Sequence, residues 1–247
     1  EQPQKGRGRE FFQWDCDILG TNSLQADAEV ISIAATVYQK LGLTPSEVKI
    51  KINDRQYLQD KLKRIEIPDE KILSIFKVID KKVKVDETDF KEMLKEAGLT
   101  ENQTTSLLGI LNNKNTYKES DWLTEIFRLV TIAELKDYLE FDPSVVRGLD
   151  YYTRTVFEGW DVKGEFRSIW GGGRYDNLTA EVGSEQVIPG VGFAMGDMVI
   201  SEVLKANGKY PLLEVNKTKV LVTVFSPELL DKSLELSDQI RKSSINV

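Results

Sequence analysis

The sequence predicts an α+β fold, an antiparallel sheet flanked by helices, and three observations predict it. Period-two alternation of apolar and polar residues recurs at residues 11–18, 48–52 and 145–157. A helical stripe of Val30, Ile31, Ala34, Val37, Tyr38 and Leu41 lies between the first two of these strands. A lysine- and glutamate-rich block from residue 54 to about 138 then reads as short helices, after which strand signals resume.

Taken in order, residues 11–18 place Phe12, Trp14, Cys16 and Ile18 on one face of a strand and Phe11, Gln13, Asp15 and Asp17 on the other. The second face is either simply wet or suited to stacking on a base and recognising an amino acid. Asp27 is expected to cap a helix that ends near Leu41, with Gly42 as its stop. Val48, Ile50 and Ile52 alternate with charged residues as a second strand. Beyond Asp54, Pro68-Asp69 opens one helix, Asp86 another, and Thr100 with Gln103 forms a capping box. These helices read as an insertion packed around its own small core.

Residues 145–157 alternate like a half-buried strand, yet carry Arg147, Asp150, Tyr151 and Tyr152. They read either as an edge strand with a solvated face or as the floor of a polar pocket. Gly148 and Gly171-Gly172-Gly173 leave room for a close approach to the backbone. Strands are expected at 156–162 and 166–170, a turn through the three glycines into Arg174-Tyr175, a strand ending at Phe193–Met195, and a helix over 196–206. Asn207-Gly208 and Pro211 mark a linker. A strand at 219–225, a helix at 228–242 and a short strand at 245–247 then begin a separate α/β unit.

The composition excludes several chemistries. With no histidine among 247 residues, there is no Ser-His-Asp triad, no histidine metal site and no imidazole to activate Cys16. A single cysteine permits no intrachain disulfide and suits a reducing, cytoplasmic location. The net charge of -7 argues against a generally basic nucleic-acid surface, although Lys5, Arg7 and Arg9 form a local basic patch. No apolar run approaches the roughly 20 residues that span a bilayer, and the polar, basic start is no signal peptide, so no membrane partner is expected.

Arg147-Gly148-Leu149-Asp150-Tyr151-Tyr152-Thr153 resembles the signature with which histidyl-tRNA synthetases bind histidine and ATP. Two further stretches resemble that family in the same order. Residues 3–13 with Asp17 are similar to its second class II motif and loop, and Gly171-Gly172-Gly173-Arg174-Tyr175-Asp176 with residues 190–196 to the approach to its third motif. The resemblance covers almost the whole chain and is weakest between residues 56 and 139. It implies a class II synthetase-like sheet whose catalytic core occupies 1–53 and 141–206, with a helical insertion at 54–140. A linker at 207–216 and the truncated start of an anticodon-binding α/β domain at 217–247 would follow.

The activity so implied is that of a histidine–tRNA ligase: ATP-dependent activation of histidine to the adenylate, then transfer to tRNA(His). Arg147 would be the catalytic cation at the α-phosphate. Gln13, Asp17, Tyr151, Tyr152 and Tyr175 would bind histidine, although Tyr151 alone could equally pack into the core. Glu1, Arg7, Arg9, Phe11 and Arg147 would bind ATP, with Phe11 on the adenine and Arg7 on the outer phosphates. Mg²⁺ is expected with the nucleotide and no resident metal site in the chain. By the same resemblance the enzyme is a homodimer, and the dimer-forming first motif would lie upstream of Glu1. Two departures stand out: Gln2 where much of the family has arginine, and Val199 where the third motif ends in arginine. The second favours the alternative, a non-catalytic histidine-binding paralogue such as the regulatory subunit of ATP phosphoribosyltransferase.

Overall fold

The computed structural model describes residues 10–211 and 217–247. The chain divides into two compact units, Glu1–Lys209 and Tyr210–Val247. In the first, six strands form one sheet: β1 (Gln13–Leu19), β2 (Val48–Asp54), β3 (Leu139–Phe141), β4 (Thr155–Asp161), β5 (Trp170–Arg174) and β6 (Gly190–Gly196). Their spatial order is β1-β6-β5-β4-β2-β3, antiparallel except between β2 and β3. The helices of this unit are α1 (Leu24–Lys40), α2 (Arg55–Arg64), α3 (Asp69–Ile79), α4 (Glu87–Glu96), α5 (Glu101–Asn112), α6 (Asp121–Ile132), α7 (Leu178–Glu181) and α8 (Asp197–Ala206).

One face of the sheet is apolar because alternation sends Ile50, Ile52, Phe157, Trp170, Phe193 and Met195 to the same side. α1, α6 and α8 cover it. Val30, Ile31, Ala34 and Tyr38 of α1 are fully buried there, and each large side chain so buried stabilises the fold by about 1.5–3 kcal/mol. The cap of α1 is Ser23, whose side chain accepts from the Gln25 N–H. The expected cap, Asp27, instead lies inside the helix and is fully buried against Arg174. Pro68, Asp86 and Thr100 with Gln103 begin α3, α4 and α5 as their sequence signals require. Helices α2 to α5 enclose a second core of Leu58, Ile75, Phe76, Phe90, Leu94 and Leu107, which also takes in Val146, whereas α6, expected in the same block, packs on the sheet.

Four strand expectations are corrected. Residues 145–154 are irregular, and the ladder begins only at Thr155. Asp142-Pro143 precedes the segment, and Arg147 takes a left-handed φ of 53° that no strand accommodates. Gly171, Gly172 and Gly173 are no turn but the middle of β5, which starts at Trp170 rather than 166. In the second unit, residues 219–225 and 245–247 form no strands. The Lys219 and Val220 N–H groups both donate to the Asn246 carbonyl (2.9 and 3.2 Å), which is too little for a ladder. A helix, α9 (Leu230–Lys242), follows a 3₁₀ turn at Pro227–Leu229.

Gly172 faces the core, where an added Cβ would overlap the Gly192 carbonyl and lie 2.6 Å from Phe193 Cβ. The obstruction includes backbone paired on both sides and cannot swing away. Gly172→Ala is therefore expected to cost about 1–3 kcal/mol, read as a lower urea midpoint with an unchanged slope.

Candidate active site

The opposite face of the sheet is nearly bare at its centre. Along β6, Gly190, Gly192, Ala194 and Gly196 point to it, and along β5, Gly171 and Gly173. Gly173 pairs with Gly192 and Gly171 with Ala194, so the two strands form a floor carrying nothing larger than a methyl group. On one side stand Gln13, Asp15 and Asp17 of β1; on the other stands Glu158 of β4, paired with Gly171.

Side chains from outside the floor lie flat on these glycines. A Cβ on Gly171 would overlap the Arg147 guanidinium, and one on Gly173 would lie 2.7 Å from Tyr152 Cδ1. One on Gly192 would overlap the Asp17 carboxylate, and one on Gly190 would lie 3.1 Å from Tyr175 Cδ2. Room for a close approach was legible in the glycines; the chain's own polar side chains are what use it.

Arg147 Nη1 donates to Glu158 Oε1 at 2.7 Å, and Trp160 Nε1 donates to Glu158 Oε2 at 2.9 Å. Burial opposes the Arg147 charge, but Glu158 and Tyr152 outweigh it and raise its pKa. Among the described residues Glu158 holds one donor of the guanidinium and Tyr152 flanks it, while other donors of the fork can meet an anionic ligand. The left-handed backbone of Arg147 costs about 1–3 kcal/mol and must be held by its surroundings. The Tyr175 hydroxyl donates to Asp17 Oδ1. Burial pushes the phenols of Tyr152 and Tyr175 up, and Asp17 raises Tyr175 further, so both remain neutral donors. The Tyr151 ring lies tilted against Tyr152, 4.6 Å between centroids, and meets Tyr175 edge-on at 6.5 Å.

Arg147, Tyr151, Tyr152, Tyr175 and Asp17 therefore form one continuous group over the floor. Gln13 is on the same face but further along β1, its amide 2.8 Å from Asp15. The Phe11 ring lies beside Gly196 at the end of β6 (3.7 Å from an added Cβ). Glu1, Arg7 and Arg9 lie outside the described residues. Val199, at the position where an arginine is expected, is buried in α8 against the main core. Two participants escaped the sequence reading. Glu158 looked like the polar member of an alternating strand, although its separation of eleven residues from Arg147 was visible. Arg174 was read only as part of a glycine-rich motif, yet it is 1% exposed and binds Asp27, Asp176 and the Thr21 and Ser23 carbonyls.

Residues 1–198 match the family model described as histidyl-tRNA synthetase. The chain is 40% identical over 84% of its length to a Thermoplasma volcanium protein named histidine–tRNA ligase, and covers 51% of it. It is 38% identical over 98% of its length to the Picrophilus torridus protein of that name, covering 59%. To the chloroplastic/mitochondrial histidine–tRNA ligase of Arabidopsis thaliana it is 37% identical over 86%, covering 46%. The chain thus spans about half the length of these relatives. The crystal structure of histidyl-tRNA synthetase from Nostoc sp. PCC 7120 superposes with a TM-score of 0.76 at 26% identity, over 97% of this chain and 61% of that one. A Bacillus halodurans structure titled ATP phosphoribosyltransferase regulatory subunit/histidyl-tRNA synthetase shares the fold, with a TM-score of 0.74 at 20% identity over 96% of this chain and 62% of that one.

Proposed function

The chain belongs to the histidyl-tRNA synthetase family, and from that premise we propose that the protein of which it is part activates histidine with ATP and transfers it to tRNA(His). The observation that carries the proposal is the single group of Asp17, Tyr175, Tyr152 and Arg147 over one bare floor. A neutral imidazole has one N–H and one bare nitrogen. Asp17 would accept the N–H, and a tyrosine hydroxyl would donate to the other nitrogen. A side chain without both functions would leave these groups unpaired, at about 1–3 kcal/mol each. The histidine carboxylate would then point toward Arg147, with Gln13 and Tyr151 completing the amino-acid end.

In the first step a carboxylate oxygen attacks the α-phosphorus and the bond to the pyrophosphate oxygen breaks. Negative charge spreads over the phosphate oxygens, and a planar, permanently charged guanidinium fixed beforehand stabilises it most effectively. Phe11 would stack on the adenine, and Glu1, Arg7 and Arg9, outside the described residues, would bind the nucleotide. Among the described residues, no group of three or more carboxylate or thiol side chains could hold a metal ion. Mg²⁺ would enter with the ATP phosphates. Residues 54–140 would be the helical insertion, 141–206 the second part of the core after 1–53, and 217–247 the start of the anticodon-binding domain beyond a linker at 207–216. A homodimer in the cytoplasm completes this reading.

Histidine-dependent ATP–pyrophosphate exchange by the full-length protein tests the proposal. Exchange that ignores histidine, or none at all, overturns it. Buried Val199 favours one second reading, a histidine-binding relative that does not charge tRNA, and histidine binding without exchange would select it. Within the first reading, Asp17→Ala should raise KM for histidine roughly ten- to a hundredfold with a smaller change in KM for ATP. Equal effects on both would remove Asp17 from the amino-acid site.

A further inference from the structure

Resting on that reading, we infer that the helical insertion is a working part of the active site, and that Asp80, at the end of α3, is a positioning residue for Arg147. The guanidinium end of Arg147 is held from the sheet by Glu158. Its backbone is held differently. Ahead of it, the Asn53 side chain donates to the Val145 carbonyl at 3.0 Å. From Val146 to Asp150 the anchors come from the insertion, and the sheet takes hold again at Thr153, whose N–H donates to the Arg174 carbonyl at 2.8 Å. The Val146 side chain is buried within the insertion's own core. The N–H of Gly148, the residue after Arg147, donates to Asp80 Oδ1 at 3.1 Å. The buried Arg55, first residue of α2, donates from Nη1 to the Leu149 carbonyl at 2.7 Å. Lys77 of α3 pairs with Asp150 at 2.9 Å, an exposed contact that adds little.

These contacts bracket the one residue of the segment with a left-handed backbone. A non-glycine residue stays there only where its neighbours leave it no alternative. Release of the Gly148 N–H lets Arg147 relax toward the ordinary region, and that rotation swings the guanidinium off Gly171. Among the described residues, Asp80 makes no hydrogen bond or ion pair with a group assigned to histidine or ATP, so its effect would pass through Arg147. Asp80 also pairs with Lys84 at 3.6 Å, a contact at the surface.

The experiment compares Asp80→Ala with Asp80→Asn, whose side-chain oxygen still accepts from Gly148, in the full-length protein. Asp80→Ala should lower kcat for histidine-dependent ATP–pyrophosphate exchange ten- to a hundredfold, the scale expected of an ångström-sized displacement. KM for histidine should stay within about twofold, and Asp80→Asn should recover most of the loss. Amide hydrogen exchange should rise in a peptide covering residues 145–152 for Asp80→Ala but not for Asp80→Asn. An Asp80→Ala protein with wild-type kcat and unchanged amide exchange overturns the inference, as does equal loss in both variants. If the wild-type protein itself shows no exchange, the functional reading fails, and the amide measurement still decides whether Asp80 holds the segment.

Discussion

Arg147→Ala is expected to lower histidine-dependent ATP–pyrophosphate exchange of the full-length protein by roughly a thousandfold. Histidine binding, measured by calorimetry, should weaken only severalfold, because Asp17, Tyr175 and Tyr152 would hold the imidazole without it. The effect should be large because Arg147 is fixed before any substrate arrives. Glu158 holds one end of its fork at 2.7 Å, Tyr152 flanks it, and Gly171 leaves it lying on the sheet. Gly171→Ala makes the companion test, since it moves the guanidinium without removing it. The overlapping atoms are the far end of a flexible side chain, so folding should tolerate the methyl group while exchange falls. Near wild-type exchange in Arg147→Ala would remove this residue from the chemistry.

Arg174→Met is expected to destabilise the first compact unit by about 3–5 kcal/mol, the range seen when one member of a buried ion pair is removed. The reason is what stays behind. Asp27 is fully buried, and Arg174 supplies its paired N–H donors along with the donors to Asp176, Thr21 and Ser23. Burial pushes the Asp27 carboxyl above its ordinary value, and the arginine pulls it back. In the variant that pull is gone, so folded Asp27 binds a proton more tightly than unfolded Asp27. The folded state then carries more protons, and stability falls as pH rises above the unfolded value of about 4. The variant should therefore be less destabilised near pH 4 than near pH 8 by urea denaturation. Adding Asp27→Leu should recover much of the loss at neutral pH. Loss smaller than about 1 kcal/mol at pH 8 would mean that water reaches the pair.

What could be read in the sequence follows from how far each signal reaches. Caps act over three or four residues, so Pro68, Asp86, Thr100 and Gln103 announced α3, α4 and α5 by themselves. Ser23 lost to Asp27 in the reading because a carboxylate at a helix start has two uses. Only the fold shows that this one meets an arginine 147 residues away. Gly171-Gly172-Gly173 read as a turn because glycine usually marks one. In a strand the same absence of side chain serves both faces at once, admitting Phe193 to the core on one and Arg147 and Tyr152 to the site on the other.

The sequence alone determined the α+β class, the helical block between strands, the polar face of β1 and the residue types of the site, because alternation, caps and residue chemistry are local properties. Tertiary structure decided the rest. Residues 145–154 became an irregular segment fastened to Arg55 and Asp80, Glu158 became the partner of Arg147, and Arg174 became a buried strut. The physical reason is that a charged group's role depends on which opposite charge or carbonyl the fold brings within about 3 Å of it, and periodicity carries no information about that.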